Sequence, residues 1–286
     1  MYRKTDKPNQ NQLKMKWKEF FKLLFELIKS FFVRERIAKP LKDEEPEKPT
    51  PKEIDEKLTF DLDERDVNHI PPKQKIKLKR NRYHWVFMNA HGKKQAGKRS
   101  PKFSNGIRFY EWEWSAYIVK RVAQRATKAG ISFSTPLLEF AETIGKDLKF
   151  RATKSNQVDA DLPKITVPIH SNAYGAGWNT NAKGIETWHK EHSTEGKKIA
   201  SVFQHFLVKK LGWKDRGLKT HQLHKDFYVF DEIDNVVSLL EIGFYTNPVE
   251  VRKLMLDAVK DSIADAIIEA VLYIEKNGLT LMKEYE

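Results

Sequence analysis

The sequence predicts an α/β protein with a mainly parallel, twisted sheet and helices on both faces, preceded by an amphipathic helix on a proline-rich linker. Two observations lead to this prediction. Short apolar runs, which are typical of buried strands, alternate along the chain with longer segments whose apolar residues recur at helical spacing. In addition, polar side chains stand at the ends of these runs, where open α/β sheets build their sites. The run at residues 236–240, for example, leads directly into Glu241.

Composition limits the kinds of chemistry that are available. The chain has 286 residues, of which 40% are hydrophobic, enough for one large domain with or without an appendage. Cysteine is absent, which excludes disulfides, thiolate zinc sites and cysteine nucleophiles. A metal site must therefore use histidine and carboxylate, which suits a catalytic rather than a structural zinc. The net charge of +13 favours polyanionic partners such as nucleic acid, anionic lipid or an anionic cell wall.

The amino-terminal part, residues 1–39, is predicted to be a basic tail followed by an amphipathic helix at 16–38. Bulky aromatic and aliphatic residues fall on one face of this helix, and lysines and glutamates fall on the other. Two interpretations stay open: docking on the main domain or on a second copy of the helix, and contact with a membrane surface. No signal peptide is recognisable, and no apolar stretch is long enough to span a membrane.

Residues 40–80 are predicted to be a linker and an approach segment to the main domain. Pro40, Pro46, Pro49 and Pro51 stand among charged residues, a composition that cannot bury a core. The main domain is accordingly predicted to span residues 81–286.

Strands and helices are predicted in alternation along this domain. A strand at 83–89 is followed by His91 and Gly92, and a helix from 110 to 129 carries Glu111 in its first turn. A strand at 131–138 and a helix at 143–158 follow, and Arg151 on that helix is expected to pair with a carboxylate. A third strand at 164–170 ends in His170.

The carboxyl-terminal part continues the alternation. A short strand at 184–188 precedes a helix at 193–211, and the run that ends at Glu241 precedes the last helix, at 247–277. Asn247 is the expected N-cap of that helix, Pro248 fits its first position, and Glu250 is expected to complete a capping box.

His91, Glu111 and His170 are the candidate metal ligands. Three protein ligands would leave one tetrahedral position on a zinc ion for water, whose pKa the ion would lower toward about 7. Glu241 is the candidate general base that takes the proton of this water. The alternative for Glu241 is a buried, salt-bridged core residue, because a buried charge is costly unless it is paired.

Six blocks in this order resemble the zinc-dependent N-acetylmuramoyl-L-alanine amidases of bacterial cell-wall hydrolases and phage endolysins, and the resemblance covers about residues 81–276. The blocks are Asn89-Ala-His-Gly92, Glu111 opening a helix, Pro168-Ile-His-Ser-Asn-Ala173, Gly184-Ile-Glu-Thr-Trp188, Asp215-Arg-Gly-Leu-Lys219 and Leu239-Leu-Glu-Ile-Gly-Phe-Tyr-Thr-Asn247.

The resemblance implies an enzyme that cleaves the amide between N-acetylmuramic acid and L-alanine of the stem peptide in peptidoglycan. It implies Zn²⁺ ligation by His91, Glu111 and His170, with Glu241 as the catalytic glutamate. Glu113 is the rival of Glu111, because the local Glu-Trp-Glu-Trp repeat blurs the register. The chain departs from the family where Ala90 and Pro168 replace a glycine and a serine.

Several other polar residues are predicted to lie outside the reactive centre. The pairs His189/His192 and His221/His224 have an i,i+3 spacing that could bind metal on a helix, but exposed loop histidines are the prediction. Glu186 and Arg216 are expected to have structural or substrate-side roles. Basic residues that follow His91 are expected to be solvated or to attract the carboxylates of the stem peptide; they are Lys93, Lys94, Lys98, Arg99 and Lys102.

Two alternative functions stay open: a metallopeptidase acting on cell-wall peptides, and a non-catalytic basic virion or nucleic-acid-binding protein on the same scaffold. No specific nucleic acid partner is expected, because the only support is the generic positive charge. Without a signal peptide, a cell-wall enzyme is expected to be made in the cytoplasm and to act at the wall or periplasm, as a phage-encoded or virion-associated protein does.

Overall fold

The computed structural model describes residues 80–93, 97–136, 144–222 and 227–286, without the side chains of residues 144–146. All of them lie in Thr50–Glu286, the second of two units into which the chain divides. The predicted basic tail, the amphipathic helix at 16–38 and all but the last residue of the 40–80 segment lie outside the described residues. The domain boundaries drawn from the sequence therefore stay predictions.

A single six-stranded sheet forms the centre of the described domain. Its strands are β1 (His84–Asn89), β2 (Phe133–Ser134), β3 (Lys164–Asn172), β4 (Ile185–Lys190), β5 (Asp215–His221) and β6 (Val236–Phe244). The strand order is β2-β1-β3-β6-β4-β5. Neighbouring strands are parallel except β4 and β6, which pair antiparallel. This confirms the predicted mixed α/β fold with a mainly parallel sheet.

Helices cover both faces of the sheet. They are α1 (Glu111–Ala129), α2 (Ile144–Asn156), α3 (Thr194–Leu211), α4 (Tyr228–Glu232), α5 (Pro248–Met255) and α6 (Asp257–Asn277), and a 3₁₀ turn follows at Lys283–Tyr285. Alternate residues of β1 point to opposite faces: Trp85 joins the apolar cluster that contains α1, α3 and α6, and Val86 joins the cluster that contains α2 and α4. Among these described helices, none has the length and apolar character that crossing a membrane requires.

Some predicted elements differ from the structure. The last helix is two helices, because Leu256 between α5 and α6 has an extended backbone (φ −72°, ψ 133°). Of the strand predicted at 131–138, only Phe133–Ser134 is a strand among the described residues. The sequence analysis missed β5 and α4, and it did not predict that β4 runs antiparallel to β6.

The capping box predicted for the last helix is also wrong in part. Asn247 is the N-cap of α5, and its side chain accepts from the amides of Val249 and Glu250 at 3.0 and 3.1 Å. Glu250 does not reach back to the amide of Asn247. Its carboxylate instead accepts hydrogen bonds from the amides of Gly184 and Phe244, both at 2.8 Å. The carboxylate satisfies amides of two neighbouring strand ends, which is a different way of joining the helix to the sheet.

The topology determines where the polar strand ends meet. Strands β1, β3 and β6 are adjacent and parallel, so their carboxyl ends lie at the same edge of the sheet. In the register, Asn89 faces Ile169 and His170 faces Glu241. Residues that are 71 positions apart in the sequence (170 and 241) are therefore neighbours, as expected where an open α/β sheet carries its site.

Candidate metal centre

His91, Glu111 and His170 form a compact group at this edge of the sheet. One ligand atom from each residue lies within 4.8 Å of those of the other two. The Glu111 carboxylate lies between the two rings, with Oε2 at 3.2 Å from His91 Nε2 and Oε1 at 3.0 Å from His170 Nδ1. The two imidazole rings are nearly perpendicular, at 88°, with centroids 5.0 Å apart. The structure therefore brings together all three residues that the sequence analysis named.

Local backbone structure brings each of these side chains to the group. His91 follows β1 in the left-handed region (φ 48°), which turns the chain sharply at the strand end. Glu111 is the first residue of α1, where the unpaired amides of a helix N-terminus favour a carboxylate. Its rival Glu113 is exposed, whereas Glu111 is 2% exposed. The geometry thus favours Glu111 over Glu113.

The protonation states of the group suit metal ligands. Burial lowers the pKa of His170 to about 4 despite the opposing hydrogen bond to Glu111, so this imidazole is neutral at pH 7. Burial by itself raises the pKa of Glu111. The neighbouring His91 and His170 outweigh that effect and hold the pKa well below its usual range. An ionised carboxylate beside neutral imidazole is the form in which these side chains coordinate metals.

Glu241 lies beside this group on β6. It is paired in register with His170 on β3 and with Glu186 on β4, so its side chain shares a face of the sheet with both. Its Oε2 is buried and has no hydrogen-bond partner among the described residues. Burial raises the pKa of Glu241 well above its usual range, and the carboxylates of Glu111 and Glu186 raise it further. In the described part of the chain, no cation forms the salt bridge that the structural alternative for Glu241 requires.

In contrast, both carboxylate oxygens of Glu186 bind partners within the protein. Its Oε2 binds Arg216 Nε at 2.7 Å, and its Oε1 accepts from Asn172 Nδ2 at 2.8 Å and Trp188 Nε1 at 3.1 Å. The guanidinium of Arg216 also lies over the ring of Phe244, at 4.8 Å from its centroid. Glu186 and Arg216 therefore form a structural ion pair beside Glu241 rather than two reactive groups.

A cavity of about 430 Å³ opens over the group. Its lining includes the three candidate ligands, His91, Glu111 and His170, together with Glu241, Lys98 and Tyr245. The positive charge of Lys98 acts on both His170 and Glu241, which places this lysine close to the proposed reaction centre. Burial and the carboxylates of Glu111 and Glu241 raise the pKa of Tyr245, so its hydroxyl stays protonated.

Sequence reasoning singled out neither Lys98 nor Tyr245 for a role of its own. Lys98 was one of five basic loop residues that no sequence pattern distinguishes, and Tyr245 was one residue of a longer sequence block. Their proximity to the centre depends on loop conformation and sheet register, which have no sequence pattern.

A larger cavity, of about 1220 Å³, lies at the amino ends of β1 and β3, between Arg82, Phe206 and Tyr273. No histidine is among the described residues that line it, and neither Glu111 nor Glu241 contacts it. The smaller cavity is thus the one that holds reactive groups.

The remaining histidines differ from their predicted state. His189 lies in β4 and is 7% exposed, and His221 ends β5 fully buried, with Nε2 at 3.0 Å from Asp231 Oδ1. The prediction of exposed loop histidines is therefore wrong for both, because these positions belong to strands that pack against helices. His192 is exposed as predicted, and His224 lies outside the described residues. The predicted pairing of Arg151 with a carboxylate is confirmed, with its Nε at 2.7 Å from Asp147 Oδ2.

The donor set of the group fits a zinc ion. Two imidazoles and one carboxylate are typical ligands of catalytic zinc. Ligand atoms around a tetrahedral zinc are roughly 3.3 Å apart, given bond lengths near 2.0–2.1 Å. The two distances of 3.0 and 3.2 Å between Glu111 and the histidines are similar to this spacing. A buried carboxylate oxygen without a partner, on Glu241, stands next to the group.

A mainly parallel α/β sheet with a His-Glu-His group and an adjacent free carboxylate defines a candidate metal-dependent hydrolase. Comparison with known families gives the particular one. The family model of N-acetylmuramoyl-L-alanine amidases matches residues 86–273, and this chain belongs to that family. The match confirms the resemblance seen in the sequence.

Two relatives and one solved structure illustrate the similarity. The chain is 31% identical over 179 residues to the N-acetylmuramoyl-L-alanine amidase LytC of Bacillus subtilis (strain 168), which covers 62% of this chain and 32% of LytC. It is 28% identical over 189 residues to the uncharacterized protein YqiI of the same organism, covering 65% of this chain and 82% of YqiI. The crystal structure of an N-acetylmuramoyl-L-alanine amidase from Clostridium difficile 630 superimposes with a TM-score of 0.58 at 28% identity, over 69% of this chain and 99% of that chain.

Proposed function

We propose that this protein is a peptidoglycan hydrolase that cleaves the amide bond between N-acetylmuramic acid and the L-alanine of the stem peptide. The observation that carries the proposal is the buried group of His91, Glu111 and His170 with the unpartnered carboxylate of Glu241 beside it. The family to which the chain belongs supports the choice of bond, because its description and the name LytC both refer to this amidase.

His91, Glu111 and His170 would hold one zinc ion. When bound, zinc supplies a Lewis acid that polarises a carbonyl oxygen and lowers the pKa of a coordinated water. Glu111 contributes an ionised carboxylate and His170 a neutral imidazole, so that neither side chain has to lose a proton before the metal binds. The absence of cysteine excludes thiolate ligands, in agreement with an open catalytic site.

Glu241 would act as general base and then as general acid. Its carboxylate takes a proton from the attacking water as the new C–O bond forms at the amide carbonyl. The same carboxyl then gives this proton to the amide nitrogen as the C–N bond breaks, so that a carboxylic acid and the free amine of L-alanine leave. Because burial raises the pKa of Glu241, its carboxylate binds a proton more strongly than an exposed one, which suits the first step.

Lys98 would help to place an anionic substrate. Among the described residues it forms no ion pair, it lines the cavity, and its charge acts on the two groups nearest to the reacting bond. A lysine in this position attracts carboxylates of a peptide and stabilises negative charge on a carbonyl oxygen. The overall charge of +13 acts in the same direction at longer range, toward an anionic cell wall.

A substrate of this kind also determines where the protein acts. Peptidoglycan lies outside the cytoplasmic membrane, so synthesis in the cytoplasm followed by action at the wall stays our proposal for the cellular location. Origin from a phage and association with a virion are likewise proposals.

The proposed function is tested with purified protein, zinc and isolated cell-wall sacculi. We expect about one zinc per chain by elemental analysis, and release of new amino termini that are exclusively alanine. No new reducing sugar ends should appear, because the glycan strands stay intact. Amino termini other than alanine would show the alternative metallopeptidase activity. Zinc-loaded protein that releases no amino termini from sacculi would contradict a hydrolytic function.

A further inference from the structure

The hydroxyl of Ser115 connects the backbone segments that carry the proposed zinc ligands. Ser115 lies in α1 and is completely buried. Its Oγ accepts a hydrogen bond from the amide of Ala90 at 2.8 Å and donates one to the carbonyl of Ile169 at 2.5 Å. A serine hydroxyl has one donor and two acceptor positions, and Ser115 uses both functions within the protein core.

The position of each partner is what makes this bridge important for the site. Ala90 immediately precedes His91, and Ile169 immediately precedes His170. Ser115 itself follows Glu111 by four residues, so both side chains lie on the same face of α1. One hydroxyl therefore joins the turn after β1, the strand β3 and the helix α1, which are the three elements that carry the three proposed ligands.

The turn that carries His91 needs such support, because His91 has a left-handed backbone that non-glycine residues adopt only at a cost. A second contact comes from the other side of the sheet: Arg151 Nη1 donates to the carbonyl of Asn89 at 2.5 Å. This contact leaves β3 and α1 untouched. The two hydrogen bonds of Ser115 connect the turn directly with both of the other ligand-bearing elements, α1 and β3.

We propose that Ser115 is a positioning residue that holds His91, Glu111 and His170 in the relative geometry required for zinc. This inference rests on the proposed zinc site. Removal of the hydroxyl leaves the amide of Ala90 and the carbonyl of Ile169 without this partner, and the three elements become free to shift against one another. Outer-shell groups that orient metal ligands typically change metal affinity by about 10–100-fold when they are removed.

The test compares the zinc affinity of the full chain with that of Ser115→Ala, by competition with a chromogenic zinc chelator. Ser155→Ala is the matched control, because Ser155 is an equally buried helix serine whose Oγ bonds the hydroxyl of Thr166 on β3 at 3.0 Å. Thr166 is four residues before His170, away from the ligand end of the strand. We expect the Kd for zinc to rise about 10–100-fold in Ser115→Ala and to stay unchanged in Ser155→Ala.

Each outcome distinguishes the positioning role from general destabilisation. Both variants should lower the Tm of the metal-free protein, so an equal loss of zinc affinity in both would overturn the proposal, as would wild-type affinity in Ser115→Ala. Ser115→Thr retains the hydroxyl and should retain zinc affinity. If Ser115→Ala does not fold, hydrogen exchange of the metal-free wild type decides, since fast exchange at the Ala90 amide contradicts the bridge. Wild-type protein that binds no zinc would refute the proposed function instead.

Discussion

His91 combines a functional position with an unfavourable backbone. Among the described residues, only His91 and His192 have a positive φ without being glycine, and His192 lies in an exposed turn. A left-handed non-glycine residue costs on the order of 1–3 kcal/mol, and such residues cluster where function requires a fixed direction of the side chain. The strain at His91 is therefore consistent with a ligand whose direction matters more than local stability.

Glu241 should be required for the rate of hydrolysis but not for zinc binding. In Glu241→Gln the side chain keeps its size and hydrogen-bonding capacity but cannot accept the proton. We expect normal zinc content and a rate on sacculi that is lower by roughly 10²–10⁴-fold, the usual contribution of a positioned acid–base group.

The matched comparison for Glu241→Gln is His170→Ala. That variant removes a proposed ligand from the same sheet edge, so zinc content and rate should fall together. Near-wild-type activity of Glu241→Gln would contradict the general-base role. Loss of zinc from Glu241→Gln would make Glu241 a fourth ligand.

The same substitution should have an effect on stability that depends on pH in the metal-free protein. The pKa of Glu241 is raised in the folded state, above the 4.5 of a free glutamate. Below about pH 4.5 both folded and unfolded states are protonated, so the carboxyl gives no pH dependence. As pH rises further, the unfolded state releases its proton first, and the free energy of unfolding falls.

Glutamine does not titrate, so Glu241→Gln should gain stability relative to wild type as pH rises from about 4.5. Urea denaturation of both proteins in the presence of a chelator, at about pH 4.5 and about pH 8, measures the difference. A difference that is the same at both pH values would show that Glu241 titrates normally.

The site was predictable from the sequence to a limited extent. His91, Glu111, His170 and Glu241 each stand at the end of an apolar run or at the start of a helix, and their order along the chain is that of a known family. Ser115 and Lys98 have no such signal, because a buried serine and a loop lysine are common residues. The role of Ser115 becomes visible only when the fold places Ala90 and Ile169 beside its hydroxyl, and that of Lys98 only when the loop places it at the cavity.

At the scale of elements, the junction between β6 and α5 determines how precisely Glu241 is held. Gly243 lies two residues after Glu241 with φ 67°, and a Cβ added to it would lie 2.6 Å from Trp213 Cζ3. Glu250 of α5 accepts hydrogen bonds from the amide of Phe244, which ends β6, and from the amide of Gly184, which precedes the neighbouring strand β4. Glycine is thus needed for the backbone conformation and also for the close packing of Trp213.

Gly243→Ala should therefore destabilise the domain by more than backbone strain alone. A left-handed alanine costs about 1–2 kcal/mol, and overpacking against Trp213 adds about 1–3 kcal/mol. Gly217→Ala is the matched control, since Gly217 has φ 74° but a Cβ added there would meet no atom within 4 Å. Chemical denaturation should show the larger loss in Gly243→Ala. Equal losses in the two variants would mean that Trp213 moves aside without cost.

Elements with a clear hydrophobic pattern were predicted well, and the others were missed for physical reasons. The helix at 110–129 and the strand at 164–170 have strong periodicity and correspond to α1 and β3. Strand β5 reads Asp-Arg-Gly-Leu-Lys-Thr-His, without an apolar run, because it lies at the sheet edge and most of its side chains are only partly buried. The antiparallel pairing of β4 with β6 depends on contacts far apart in the sequence, which local patterns do not contain.

At the scale of the whole molecule, the proposed ligands and the proposed base come from one sheet, from the turn that follows its strand β1, and from helix α1. The ligand-bearing elements β1, α1 and β3 and the base-bearing β6 lie between residues 84 and 244. The apolar cluster beneath them, which includes Phe203 and Ile267, draws buried residues from Trp85 to Ile274. Folding and metal binding of this part should therefore not require the amino-terminal segment.

Removal of residues 1–57 should leave a folded domain that binds zinc and hydrolyses sacculi at an unchanged rate, because the site and its core lie beyond the proline-rich stretch. Zinc content, Tm and rate of the truncated and full chains measure this.

Binding of the full chain to anionic vesicles separates the roles proposed for the helix at 16–38. Salt-sensitive binding that the truncated chain lacks would support a membrane-surface helix, because opposite charges attract less as salt screens them. If the full chain does not bind vesicles but forms dimers, and the truncated chain is monomeric, the result would support self-association. A truncated chain that aggregates or loses zinc would contradict independence and show that the segment covers apolar surface of the catalytic domain.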